Sequence, residues 1–216
     1  MVELIRDLRP ERVRANLERV REQIAATGRN PAEVEILAAV KYVPVEELGV
    51  LAEAGVDLLG ENRAQELEAK SDAYPGRFTW DFIGHVQSRK VRQILPYVRY
   101  IHSVASDSVL AQLGRHAKPE TEILVEVNVA GEAGKSGIAP DELGQFLERC
   151  PVTVVGLMTM PPLAAQPEAS RPHFASLREL AGRHGLEQLS MGTSQDYLVA
   201  VEEGATIVRL GTSLFE

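Results

Sequence analysis

The sequence predicts a single α/β domain: a closed barrel of eight parallel strands alternating with helices, preceded by an extra N-terminal helix. Three observations point there. Short apolar runs alternate with helical patterns about eight times within 216 residues. The runs are continuously apolar, as in parallel strands buried under helices. No clear linker, charge block or low-complexity tract divides the chain, so residues 1–216 are expected to form one domain. A doubly wound open sheet is the alternative. Eight strands in so short a chain favour closure into the (β/α)8 TIM barrel.

The elements follow in order. Residues 3–27 read as an amphipathic helix, with Leu4, Leu8, Val13, Leu17, Val20 and Ile24 at helical spacing. Pro10 can start or break it, and Gly28 stops it. Strand runs lie at 34–40 (VEILAAV), 56–59, 79–83, 98–101, 122–127, 152–158, 187–191 and 206–210. Helical patterns lie between them, at 45–54, 62–73, 86–95, 106–117, 140–149, 170–184 and 195–203. The prolines of 161–172 (PPLAAQPEASRP) mark a loop after the sixth strand.

Composition removes several functions. A formal net charge of -8 and 5% aromatic residues speak against a nucleic-acid partner. The N-terminus, MVELIRDLRP, carries charges where a signal peptide needs an apolar core. No apolar run approaches the ~20 residues that span a bilayer. A cytoplasmic protein with no membrane partner is expected. The one cysteine, Cys150, reads as a small packed residue rather than a nucleophile. No Cys/His cluster has zinc spacing, and neither HExxH nor GxGxxG occurs, so no metal is expected.

In this architecture chemistry gathers at the C-terminal ends of the strands. Lys41 directly follows VEILAAV. Desolvation there would favour a neutral amine able to attack a carbonyl and form a Schiff base. The alternative is a lysine that snorkels to solvent. Gly192-Thr193-Ser194 and Gly211-Thr212-Ser213 leave the seventh and eighth strands, the usual phosphate-binding place of such barrels. Either could be an ordinary turn or cap. Arg209 falls at the end of the eighth strand, and its direction is open. His85, after the third strand, suits acid/base or ring-stacking work, or a structural hydrogen bond. Asn62 and Asn128 can orient a ligand or cap a helix. GEAGKS at 131–136 imitates a nucleotide loop, but the pattern needs glycine where Val129 stands.

With these residues in view, the chain resembles the pyridoxal 5'-phosphate homeostasis protein family. The carriers are LAAVKYVP, GENRAQEL, DFIGHVQSRKVRQI, VEVNVAGEAGKSGI, GLMTM and LSMGTSQDYLVAVEEGATIVRLGTSLF. The resemblance implies the barrel of alanine racemase's N-terminal domain. It implies pyridoxal 5'-phosphate (PLP) as a Schiff base on Lys41, its phosphate held by Ser194, Gly211 and Thr212. Arg209 would face the pyridine nitrogen, with Asn62 and His85 near the ring. Tyr42, Arg89, Thr193 and Gln195 depart from the family's usual residues, and Thr193 bears on how tightly the phosphate is held. The implied function is PLP homeostasis without catalytic turnover, as a monomer whose recipients are PLP-dependent apo-enzymes.

Two enzyme readings compete: a PLP-dependent amino-acid racemase, and a Schiff-base aldolase acting on a phosphorylated sugar. Arg209, permanently cationic, would oppose the ring protonation that an electron sink needs. A racemase also needs acid/base groups on both faces of its substrate. Alanine racemase takes one of them from a second domain, and this sequence runs to Glu216 just after the last strand. No racemisation and no catalytic residue are therefore expected. The aldolase reading fits a lysine and phosphate loops but not the whole motif set.

Overall fold

The computed structural model describes residues 4–216. Glu3, the first residue of the expected N-terminal helix, lies outside them. That helix, α1, runs Pro10–Ala26. Pro10 starts it, at a position where a missing N–H is harmless. Gly28, at φ 86°, takes the chain out. Val13, Leu17, Val20 and Ile24 are its buried stripe.

Strands and helices then alternate. The strands are β1 (Glu35–Ala39), β2 (Leu58–Glu61), β3 (Thr79–Phe82), β4 (Tyr100–Val104), β5 (Glu122–Glu126), β6 (Thr153–Met158), β7 (Gln188–Thr193) and β8 (Ile207–Leu210). The helices are α2 (Leu48–Glu53), α3 (Ala64–Ala73), α4 (Val91–Ile94), α5 (Asp107–His116), α6 (Leu143–Glu148), α7 (Arg171–Arg183), α8 (Tyr197–Glu202) and α9 (Thr212–Phe215). The strands close as a barrel in sequence order, with β8 pairing parallel to β1.

All eight expected strands exist, with shifted ends. The run at 98–101 becomes Tyr100–Val104 because Tyr97 is still in a turn, its N–H donating to Ile94 O at 3.1 Å. Helices expected at 45–54, 86–95 and 140–149 shrink to four to six residues, the first two behind 3₁₀ turns at Val45–Glu47 and Ser88–Lys90. Helix α9 was not expected. It is fastened by Asn16, a polar residue on the buried side of α1, whose amide donates to Leu214 O at 3.0 Å and Glu216 O at 2.9 Å. These carbonyls end a helix and have no partner of their own.

The main apolar core lies between barrel and helices. Inside the barrel the filling is partly polar. His102 on β4 and Ser190 on β7 meet at 2.8 Å, which strands so far apart around the barrel can do only across its axis. Arg209 reaches Ser190 on the same side. The direction left open for Arg209 is therefore inward, and Ile207, two residues earlier, shares its face.

Candidate functional site

The C-terminal rim of the barrel is assembled from strand ends. Lys41 lies two residues past β1, after fully buried Val40. Its own side chain is exposed, with the ammonium 4.9 Å from the Tyr42 ring centroid. The desolvation expected from its place after an apolar strand is thus absent: burial stops at Val40.

Beneath Lys41 is a pair the sequence reading missed. Lys70, on α3, is buried and donates to the Val40 carbonyl at 2.8 Å and to Glu61 Oε2 at 2.6 Å. The other Glu61 oxygen accepts from the N–H groups of Asn62 at 2.7 Å and Arg63 at 3.3 Å. One ion pair therefore ties the ends of β1 and β2 together. A signal was present: Lys70 follows Ala64 and Leu67 at steps of three on the buried face of α3. The Asn62 side-chain oxygen is buried and has no partner among the described residues. Gly84 closes on the same turn, since a Cβ there would stand 2.3 Å from the Asn62 carbonyl oxygen. His85 is exposed and lines a pocket of about 230 Å³ with Ser103, Glu126, Asn128, Ser136 and Met158.

Beside β1, the ends of β7 and β8 bring Ser194, Gly211 and Ser213 together. The Ser194 hydroxyl accepts from the N–H groups of Gly211 at 3.1 Å and Ser213 at 3.2 Å. The Ser213 hydroxyl donates to the Ser194 carbonyl at 3.4 Å. Thr212, between them, is exposed, so Ser213 rather than Thr212 joins Ser194 and Gly211. Gly192, at φ 91°, permits the close approach to α8; a Cβ there would lie 2.6 Å from Ala200 Cβ. Thr193 has a use of its own. Asp196 accepts from the Thr193 N–H at 2.8 Å and hydroxyl at 3.1 Å, and from the Ser170 hydroxyl at 2.8 Å. That carboxylate fastens the loop after β6 to the loop after β7.

Arg209 is buried beside this cluster. It donates to Ser190 O at 2.7 Å, Ser190 Oγ at 2.6 Å, Thr159 O at 2.9 Å and Met160 Sδ at 3.1 Å. Among the described residues these partners are all neutral. Burial pulls its pKa down to about 10, which leaves it cationic at neutral pH.

Other candidates fall away. Asn128 binds within its own loop, donating to Glu132 O at 2.9 Å. GEAGKS stays a turn and α6 starts only at Leu143, which is not a nucleotide loop. Burial pushes the Cys150 thiol up to about 11, against a role as nucleophile. Among the described residues no cluster of His, Cys, Asp or Glu could hold a metal, and no helix is long and apolar enough to cross a membrane.

Closure of the barrel brings the two halves of the rim together. Ala38 pairs with Leu210, so Lys41 and Gly211 leave neighbouring strands. An amine, a cluster of anion-suited donors, a buried cation with neutral partners and an unpartnered acceptor share one rim. That set suits a phosphorylated carbonyl compound.

Residues 8–216 match the family model described as alanine racemase, N-terminal domain. The pyridoxal phosphate homeostasis protein of Aquifex aeolicus is 39% identical, over 95% of this chain and 96% of its own. The structure of PipY from Synechococcus elongatus, solved with PLP bound, is 31% identical with a TM-score of 0.80, covering 94% of this chain and all (100%) of that one. Alanine racemase from Corynebacterium glutamicum shares the fold, at a TM-score of 0.73 and 14% identity, over 96% of this chain and 60% of that enzyme.

Proposed function

The chain belongs to the alanine racemase N-terminal domain family and, within it, to the pyridoxal phosphate homeostasis proteins, and from that premise we propose that it stores PLP as a Schiff base on Lys41. The observation that carries the reading is the placing of Lys41 beside the Ser194, Gly211 and Ser213 cluster by β1–β8 pairing.

The residues fit the cofactor's parts. The Gly211 and Ser213 N–H groups and the Ser194 and Ser213 hydroxyls, which here bond one another, would turn to the phosphate, with Thr212 at its flank. Asn62, whose buried side-chain oxygen has no partner among the described residues, and exposed His85 would lie near the ring. Bound PLP supplies an aldehyde for amine attack and a ring able to draw electrons. Lys41, solvent-accessible, would provide the amine. Arg209 would present its cation to the ring nitrogen and so oppose its protonation. That favours holding the cofactor over turning over substrates.

The same reading makes residues 1–216 one binding domain, a cytoplasmic monomer whose recipients are PLP-dependent apo-enzymes. An absorbance spectrum of purified protein, with and without added amino acid, tests it. A band from protein-bound cofactor is expected, with no racemisation above background in a chiral assay. Steady racemisation would restore the enzyme reading, and a colourless protein that takes up no PLP would remove both.

A further inference from the structure

Barrel interiors are ordinarily filled by branched apolar side chains. Here a line of polar groups crosses the interior. Arg209 donates to Ser190 Oγ at 2.6 Å, and Ser190 Oγ meets His102 Nδ1 at 2.8 Å. His102 Nε2 meets an Asp81 oxygen at 3.0 Å. Asp81 in turn accepts from Arg99 at 2.8 and 3.1 Å and from the Tyr100 N–H at 3.2 Å. Arg99 reaches Glu35, at the N-terminal end of β1, at 2.6 Å. Asp81, His102 and Ser190 are all 0% exposed.

The protons in this line have one consistent arrangement. Burial would raise the Asp81 carboxyl, but hydrogen bonds from His102 and Arg99 more than offset it and keep it ionised. Asp81 therefore only accepts, which places the imidazole proton on Nε2. Burial holds His102 neutral against the pull of Asp81, with Arg209 and Arg99 opposing a second positive charge. Nδ1 is then an acceptor and takes the Ser190 hydrogen. The lone pairs of Ser190 are left for Arg209. Each donor has an acceptor, and all bonds run from Arg209 towards Asp81.

A buried network of this kind adds less stability than an apolar filling of the same volume. What it adds is orientation. We infer that Ser190, His102 and Asp81 are positioning residues that fix the Arg209 guanidinium at the rim, and through it the electrostatic surroundings of the bound cofactor's ring nitrogen. The inference rests on the reading above that Arg209 faces that nitrogen.

Ser190→Ala is the sharpest probe, because Arg209 keeps its bonds to two backbone carbonyls. Loss of one hydrogen bond to a charged group should speed cofactor release about tenfold. It should also shift the pH dependence of the bound-cofactor absorbance, while borohydride still attaches PLP to Lys41. His102→Gln should do the same, and Ser190→Thr, which keeps a hydroxyl, should restore the parent profile. Nitrogen NMR of the cofactor-free protein gives an independent readout: His102 should be neutral with its proton on Nε2. PLP attached to Lys41 with unchanged profiles in both variants would overturn the inference alone. So would the Nδ1-protonated or the doubly protonated ring. A parent protein in which borohydride attaches no PLP to Lys41 would overturn the functional reading and this inference with it.

Discussion

Lys70→Met should be among the most damaging single changes outside the rim itself. Lys70 and Glu61 are 1% and 0% exposed and 2.6 Å apart. Methionine matches the stem in size, so the loss is of charge and hydrogen bonds rather than volume. Glu61 would be left as a buried carboxylate with only the Asn62 and Arg63 N–H groups to answer it. Breaking such a pair from one side costs about 3–5 kcal/mol. The Val40 carbonyl also loses its donor, worth about 1 kcal/mol. Urea denaturation reads the sum as a midpoint lowered by more than about 1 M. Adding Glu61→Gln should recover most of the loss, because the amide oxygen still accepts from both N–H groups and no charge stays buried. A single variant within about 1 kcal/mol of the parent would refute the reasoning, since a pair so poorly coupled could not organise the strand ends. So would a double variant weaker than the single.

Three further outcomes are expected. His102 has a depressed folded pKa, so below the unfolded value of about 6.5 the unfolded chain takes up a proton that the folded chain refuses. Stability is then full above that pH and falls as pH drops through it, by at most ~1.4 kcal/mol per pH unit; denaturation at pH 5–8 should show this slope in the parent and a shallower one in His102→Gln. Ser194→Ala removes the hydroxyl at the centre of the β7–β8 cluster; PLP titration should weaken about tenfold, the loss of one charge-assisted bond, and stability should fall by about 1–2 kcal/mol as the Gly211 and Ser213 N–H groups lose their acceptor. Gly84→Ala drives a Cβ into the Asn62 backbone; a loss of about 1–3 kcal/mol is expected in chemical denaturation, together with weaker PLP binding.

The fold was legible because parallel strands and covering helices write two different apolar patterns, and all eight strands followed from them. Short helices were less legible. Elements such as α4, at four residues, sit inside longer periodic stretches whose remaining residues turn as 3₁₀ or loop. At the rim, the sequence placed Lys41, Ser194, Gly211 and Arg209 at strand ends, and the structure has them there. A three-residue run such as Gly211-Thr212-Ser213 does not reveal which member turns its N–H to Ser194; here it is Ser213, with Thr212 exposed. Lys70 and the Asp81–His102–Ser190 line were missed for a different reason. Their partners are 9 to 88 residues away in sequence, on other strands and helices that only the packed barrel brings together. Thr193 stood out only as a departure from the usual residue, and its hydroxyl bond to Asp196 was not legible in the sequence.

The central claim is covalent storage on Lys41. It is tested most directly by borohydride reduction of the PLP-loaded protein, proteolysis and mass spectrometry of the peptides. The added pyridoxyl mass should fall on Lys41 in stoichiometric amount and vanish in Lys41→Ala, together with the absorbance band. Mass on another lysine, or a band unchanged in Lys41→Ala, would contradict it.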